Sequence, residues 1–218
     1  MTMRPDHREL VGETVRLTAT TPADAPELFA AMDDPRVWEV NPSVAAGRPR
    51  DAEEYARELI WDPAVKVQYT IRDLAGGAVV GTTSIMDIDL HNEKAHIGST
   101  MLSPSTWGTR VNPEVKYLLL RHLFEDCGFG RIKIQTDANN ERSQAAIAKL
   151  GAVREGVIRR DLRRHDGTFR DTVVFSILRS EWPAVREGLR ARLAPRGMTR
   201  GPAGSRQGLS HFGSGDRI

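Results

Sequence analysis

The stretch between residues 101 and 151 holds most of the side chains that could do chemistry in this chain. It reads as strand end, polar loop, long helix, buried strand, second loop and second helix. The first loop is Ser103–Pro104–Ser105–Thr106–Trp107–Gly108–Thr109–Arg110–Val111–Asn112. A loop that carries the chain from a strand into a helix points unpaired backbone N–H groups at one spot, where an anion can sit. Asn112, Pro113 and Glu114 also make a good helix start with no ligand: a cap, a proline at the first helical position and a carboxylate at the positive dipole end. Arg110 could add a guanidinium to a bound phosphate. Asn140 opens the second helix, and Ser143 lies one turn further along the same side. Upstream, strand alternation puts His96 and Gly98 on one face and Glu93, Ala95 and Ile97 on the other. An imidazole that titrates near neutrality suits removal of a proton from an ammonium. Glu93 and Asp87 are the carboxylate candidates for the same task.

The bulk composition narrows the field around these residues. A chain of 218 residues can build one domain with a sizeable core. With 31 basic and 29 acidic residues there is no general field selecting nucleic acid or a membrane surface. A basic cluster at Arg159, Arg160, Arg163, Arg164 and His165 reads as a solvated face. One cysteine, Cys127, excludes an intramolecular disulfide framework and a multi-cysteine metal site, and the scattered histidines show no ligand spacing, so no metal is expected. No apolar run reaches the ~20 residues that span a bilayer. The expected setting is a reducing cytoplasm.

The elements that must position the candidates follow from pattern. Residues 14–18 alternate polar and apolar and predict a strand. Thr21 caps a helix with Pro22 at its first position and Leu28, Phe29 and Met32 as its apolar stripe. Residues 36–50 read as an irregular loop, and Asp51 caps a second helix through Tyr55 to Trp61. Strands over 65–72, 78–89 and 93–101 are joined by tight turns and should pair antiparallel. The central stretch supplies a helix over 113–127, a strand over 131–136 and a helix over 140–150. Strands over 152–163 and 169–178 then form a hairpin, and a helix over 181–193 closes the domain. From residue 194 the composition turns to Gly, Ser, Pro and Arg and reads as a disordered tail. The expected organisation is an N-terminal extension over 1–11, one domain over 12–193 and a tail over 194–218.

In this order, the residues resemble the GCN5-related N-acetyltransferase (GNAT) superfamily, in its ribosomal-protein N-terminal acetyltransferase-like branch. The carriers are Gly81–Thr82–Thr83, His96–Ile97–Gly98, Trp107–Gly108 with Glu114, Asn140–Glu141–Arg142–Ser143 with Lys149–Leu150–Gly151–Ala152, Arg154–Glu155–Gly156, Asp166–Gly167, Arg170–Asp171 and Glu181–Trp182. The resemblance implies an α/β GNAT fold, with a mixed, mostly antiparallel sheet, splayed central strands and flanking helices. It implies an N-acyltransferase that moves an acetyl or other acyl group from coenzyme A to a primary amine of a protein N-terminus or small molecule, by direct attack in a ternary complex. The cofactor side would be Met101, Trp107, Gly108, Thr109, Arg110, Val111, Asn112, Asn140 and Ser143. The resemblance to N-terminal acetyltransferases with a serine at this place implies that Ser143 would protonate the departing thiolate; the position where many other members carry a tyrosine acid is Ile147. His96, and after it Glu93, would be the base. A homodimer is also expected. The sequence departs from the family at the phosphate loop, where Arg110 and Asn112 stand in place of small residues and Pro113 removes a donor. The alternative reading is therefore a catalytically inactive or repurposed GNAT-fold regulatory protein.

Overall fold

The computed structural model describes residues 1–39, 48–58, 62, 64–164 and 166–194. Among the described residues, eight strands form one sheet in the order β1-β2-β3-β4-β5-β6-β8-β7. They are β1 (Leu10–Val11), β2 (Val15–Ala19), β3 (Val67–Asp73), β4 (Val79–Asp89), β5 (Lys94–Leu102), β6 (Arg131–Asp137), β7 (Val153–Arg163) and β8 (Phe169–Leu178). All neighbouring pairs are antiparallel except β5 and β6, which run parallel across the connection through the central helix. The helices are α1 (Ala25–Met32), α2 (Pro35–Glu39), α3 (Ala52–Glu58), α4 (Val111–Arg121), α5 (Glu141–Ala148) and α6 (Trp182–Leu193).

Alternation along β3 shows which helices cover which face. Val67, Tyr69 and Ile71 are fully buried in the main core with Val115, Leu118 and Leu119 of α4 and with Trp182, Val185 and Leu189 of α6. The other face turns Arg72 toward Asp24 and Glu27, so α1 lies on the opposite side of the sheet from α4. The smaller cluster of Leu28, Tyr55 and Val79 fastens α1 and α3 there.

Several boundaries differ from those read in the sequence. A helix occupies Pro35–Glu39 inside the expected loop; residues 40–47, 59–61 and 63, and the tail from 195, lie outside the described residues, as does His165 of the hairpin turn. The central helix starts at Val111, so Asn112 and Pro113 are its second and third residues and Asn112 is not its cap. That helix ends in a widened π turn, His122–Asp126. Residues before β1 pack against the domain: Met3 N–H donates to the Cys127 carbonyl (2.8 Å) and Tyr69 Oη donates to the Asp6 carbonyl (3.0 Å).

Candidate active site

The site begins with a change of pairing. β5 and β6 pair only through Lys94–Arg131, Ala95–Ile132 and His96–Lys133, and then part. Beyond His96, β5 keeps β4 on one side and offers an open edge on the other. A bulge accompanies the parting. Thr82 faces Met101 and Ser84 faces Gly98, so Ser99 and Thr100 together stand opposite Thr83, and Ser99 takes φ +48°. A positive φ at a non-glycine residue in mid-strand is strain held by its surroundings. Here the bulge moves Thr100 to the face opposite Gly98. The resulting cleft encloses about 550 Å³ between β5, β6, the loop after β5, and α5.

Pairing also fixes where the side chains go. Ser84 faces Gly98 and Met86 faces His96, which puts His96 on the α1 side of the sheet. Thr100 Oγ1 lies 2.7 Å from Thr83 Oγ1 on the α4 side. The cleft therefore passes through the sheet, with His96 and Gly98 on one face and Thr100 on the other.

His96 is buried and lines the cleft. Asp87 Oδ2 lies 3.3 Å from Nδ1 but out of hydrogen-bond alignment, and neither ring nitrogen has a hydrogen-bond partner among the described residues. Burial, with Lys133 nearby, pushes its pKa down to about 4, against the partial pull of Asp87. The ring is thus neutral at pH 7, and a weaker base than the imidazole titrating near neutrality that its residue type led us to expect. A Cβ at residue 98 would stand 2.8 Å from His96 Nε2, so Gly98 leaves room for the ring, whose two nitrogens are both buried. Because the folded pKa is depressed, the unfolded chain takes up a proton below about pH 6.5 that the folded chain refuses until about pH 4. Stability should fall across that window by about 2–3 kcal/mol at pH 4.5 relative to pH 7. Urea unfolding of the wild type and His96→Gln at both pH values tests this. The variant should lose that part of the slope, and equal slopes would show that His96 is not the buried titrating group.

The loop after β5 places Trp107, Gly108 and Asn112 on the cleft. Gly108 has φ +75° and open space where a Cβ would be, so its backbone is exposed in a conformation that glycine tolerates. Trp107 donates Nε1–H to the Leu102 carbonyl (2.9 Å), and its ring lies 3.8 Å beneath the Arg142 guanidinium carbon. Thr109 and Val111 do not line the cleft. Thr109 Oγ1 donates to the Thr106 carbonyl (2.6 Å), and Val111 packs on the core.

Arg110 corrects an expectation. Its guanidinium donates to Glu13 Oε2 (2.8 Å) and to the Leu193 carbonyl, and so faces away from the cleft. Glu114 is likewise directed elsewhere. Its buried carboxylate accepts the backbone N–H groups of Glu13 and Thr14 and the Thr14 hydroxyl, clasping the β1–β2 turn. The two residues that should crowd an anion site both leave it open.

Asn140 is the cap of α5, with Oδ1 accepting Ser143 N–H at 2.9 Å, and both residues line the cleft together with Met101. Glu93 is a second correction. It is exposed in the turn before β5, beside Gly130 and outside the cleft, because the parting begins three residues later. Asp87 is held by Lys133 Nζ at 2.8 Å. Trp38 and Tyr69 are packing residues, the first against Tyr55 and the second fully buried in the main core.

The structure also brings in a residue that the sequence reading missed. Lys116 of α4 is buried, lines the cleft and donates Nζ–H to Thr100 Oγ1 at 2.6 Å. Its signal was present: it stands among Val115, Leu118, Leu119 and Leu120, and one turn after Asn112, on the side of the helix that must be buried.

A cleft of this kind fits a thioester carried on a long arm. The open β5 edge can pair with a flexible chain bearing amides, and the loop before α4 leaves backbone free near the helix start. Comparison with known proteins agrees. Residues 14–153 match the family model described as an acetyltransferase (GNAT) domain. The YdaF protein of Bacillus subtilis (strain 168), a candidate ribosomal N-acetyltransferase by name, is 29% identical over 145 residues, covering 63% of this chain and 76% of that protein. A GCN5-related N-acetyltransferase from Brucella melitensis superposes with a TM-score of 0.81 at 27% identity, covering 89% of each chain. A candidate acetyltransferase from T. thermophilus superposes with a TM-score of 0.76 at 38% identity, covering 88% of this chain and 100% of the other. With the parted strands, the bulge and these matches together, the chain belongs to the GNAT acetyltransferase family and transfers an acyl group from coenzyme A to an amine.

Proposed function

We propose that the acyl group is acetyl, that the acceptor is the primary amine of a protein N-terminus, and that the amine attacks the thioester directly in a ternary complex. The observation that carries this reading is the parting of β5 and β6 beside the Ser99 bulge. On this reading the pantetheine arm pairs with the open edge of β5 through Met101. The pyrophosphate sits on the backbone of Gly108 and Asn112, beside Trp107, whose own N–H is donated to the Pro104 carbonyl, and Asn140 and Ser143 close the arm from α5. The amine approaches from the α1 side, where neutral His96 takes its proton, directly or through a water. The protein-directed acceptor follows from the ribosomal N-acetyltransferase name of the Bacillus relative. We place the reaction in the cytoplasm. We expect a homodimer through β7, an edge strand exposing Val153, Val157 and Ile158.

Calorimetric titration with acetyl-CoA is the test. Micromolar binding is expected. Gly108→Val should weaken it at least tenfold, by straining a φ of +75° and filling the space over the loop. Arg110→Ala should leave it within a few-fold, because that side chain is engaged by Glu13 and Leu193. No binding at millimolar acetyl-CoA would overturn the reading.

A further inference from the structure

Among the described residues, Lys116 is a buried cation-forming group in the cleft with no acidic partner. Its Nζ donates to Thr100 Oγ1, which in turn meets Thr83 Oγ1, a chain of hydroxyls that holds the amine toward the α4 side of the gap. The other charged or titratable groups lining the cleft are His96 on β5, Asp137 on β6, Arg142 on α5 and Arg170 on β8. Asp137, the carboxylate among them, is bound by Arg164, and Glu114 on the same helix is turned to the β1–β2 turn. A buried ammonium without a counter-ion is costly, and proteins keep one where a ligand or a reaction supplies the negative charge.

We propose that Lys116 is the proton donor to the departing coenzyme A thiolate, acting from the α4 side of the parted strands while the amine is deprotonated on the His96 side. This rests on the transferase reading above and deepens it. The acceptor nitrogen forms a bond to the thioester carbon, the carbon–sulfur bond breaks, and its electron pair stays on sulfur. Lys116 gives that sulfur a proton, and the amine's own proton leaves on the opposite face of the sheet. Lys116 then recovers a proton from solvent once product departs.

Two titratable groups pushed to different pKa values on either side of a reacting bond are the usual mark of an acid and a base. Burial alone lowers Lys116 to about 7, while His96 stands at about 4. At neutral pH an amine of that kind is available both as ammonium and as free base, which suits exchange with a thiol whose ordinary pKa is about 8.5. A Ser143 hydroxyl has no proton that leaves easily near neutrality, so it can hold the sulfur but needs a neighbour to supply the charge. Lys116 answers that need from across the cleft.

The test needs no acceptor. Free coenzyme A is titrated against wild type and Lys116→Met by ultraviolet absorbance of the thiolate and by calorimetry, with desulfo-coenzyme A as control. In the wild type the bound thiol should titrate at least about one pH unit below the free one, giving about tenfold more thiolate at neutral pH. The methionine variant should lose that shift, keep its affinity for desulfo-coenzyme A within a few-fold, and melt higher, because an apolar chain of similar length replaces a desolvated amine. A bound thiol with the same pKa in both proteins, while coenzyme A still binds, would overturn the proposal and leave the transferase reading intact. Absence of coenzyme A binding by the wild type would overturn both. Should the methionine variant misfold, Lys116→Gln serves in its place, with the same expected loss of the thiol shift and retained affinity for desulfo-coenzyme A.

Discussion

Asp137→Ala should cost the fold about 3–5 kcal/mol, the largest loss expected of a single change away from the core. Asp137 is buried at the end of β6, where its two carboxylate oxygens take Nε and Nη2 of Arg164 at 2.8 to 3.1 Å. Arg164 also donates to the Phe169 carbonyl at 2.8 Å, so the pair ties the β7–β8 hairpin to the strand that forms one wall of the cleft. Removing the carboxylate leaves a largely buried guanidinium with its charge uncompensated. It also frees the Asn139 N–H, which Asp137 Oδ1 accepts at 2.9 Å just before the Asn140 cap. Urea denaturation should show a lower midpoint with unchanged slope, and acetyl-CoA affinity should fall several-fold as Asn140 loses its support. Asp137→Asn keeps an acceptor for Asn139 and should cost about half as much. A loss below about 1 kcal/mol in the alanine variant would show that Arg164 finds water instead.

Glu114→Ala should cost about 2–3 kcal/mol, for a different reason. Its carboxylate is the shared acceptor of two backbone N–H groups and the Thr14 hydroxyl, which lose one charged acceptor together. Glu114→Gln retains one acceptor oxygen and should lose about half. Gly12 belongs to the same contact: a Cβ there would collide with the Glu114 carboxylate, so Gly12→Ala should destabilise in the same direction. Thermal unfolding of the three variants tests the set. A Glu114→Ala protein as stable as the wild type would mean that the β1–β2 turn is not held from α4. Since Glu114 faces away from the cleft, acetyl-CoA affinity at low temperature should change little in the glutamine variant.

Local pattern carried far in this chain. Alternation and turn residues placed β3, β4 and β5 in succession, and the hairpin of β7 and β8 lies where Asp166 and Gly167 signal it. The stretch Asn140–Ser143 was legible as a cap followed one turn later by a hydroxyl, and Oδ1 of Asn140 does cap Ser143. His96 and Gly98 share a face, as a period of two requires. Residues 35–39 were harder to read: a helix of one turn has too few positions to show a period, and Trp38 is fixed by packing on Tyr55.

Types and spacing along the chain determined the family and the strand order within hairpins, and singled out the loop before α4 as the candidate anion segment. They could not determine where long side chains end. Arg110 and Glu114 stand in the loop and first helical turn, and spacing alone aims both at the anion site. Their partners, Glu13, Thr14 and Leu193, lie roughly a hundred residues away in sequence, and only the packing of β1–β2 and α6 against α4 draws them aside. Lys116 shows the reverse case. Its helical position predicts burial, but the identity of what it meets depends on the Ser99 bulge, which turns Thr100 to the α4 face. Helix and strand periods are set by bonds between near neighbours and so can be read locally. Hydrogen-bond partners brought together by the closing of the sheet are set by the fold as a whole.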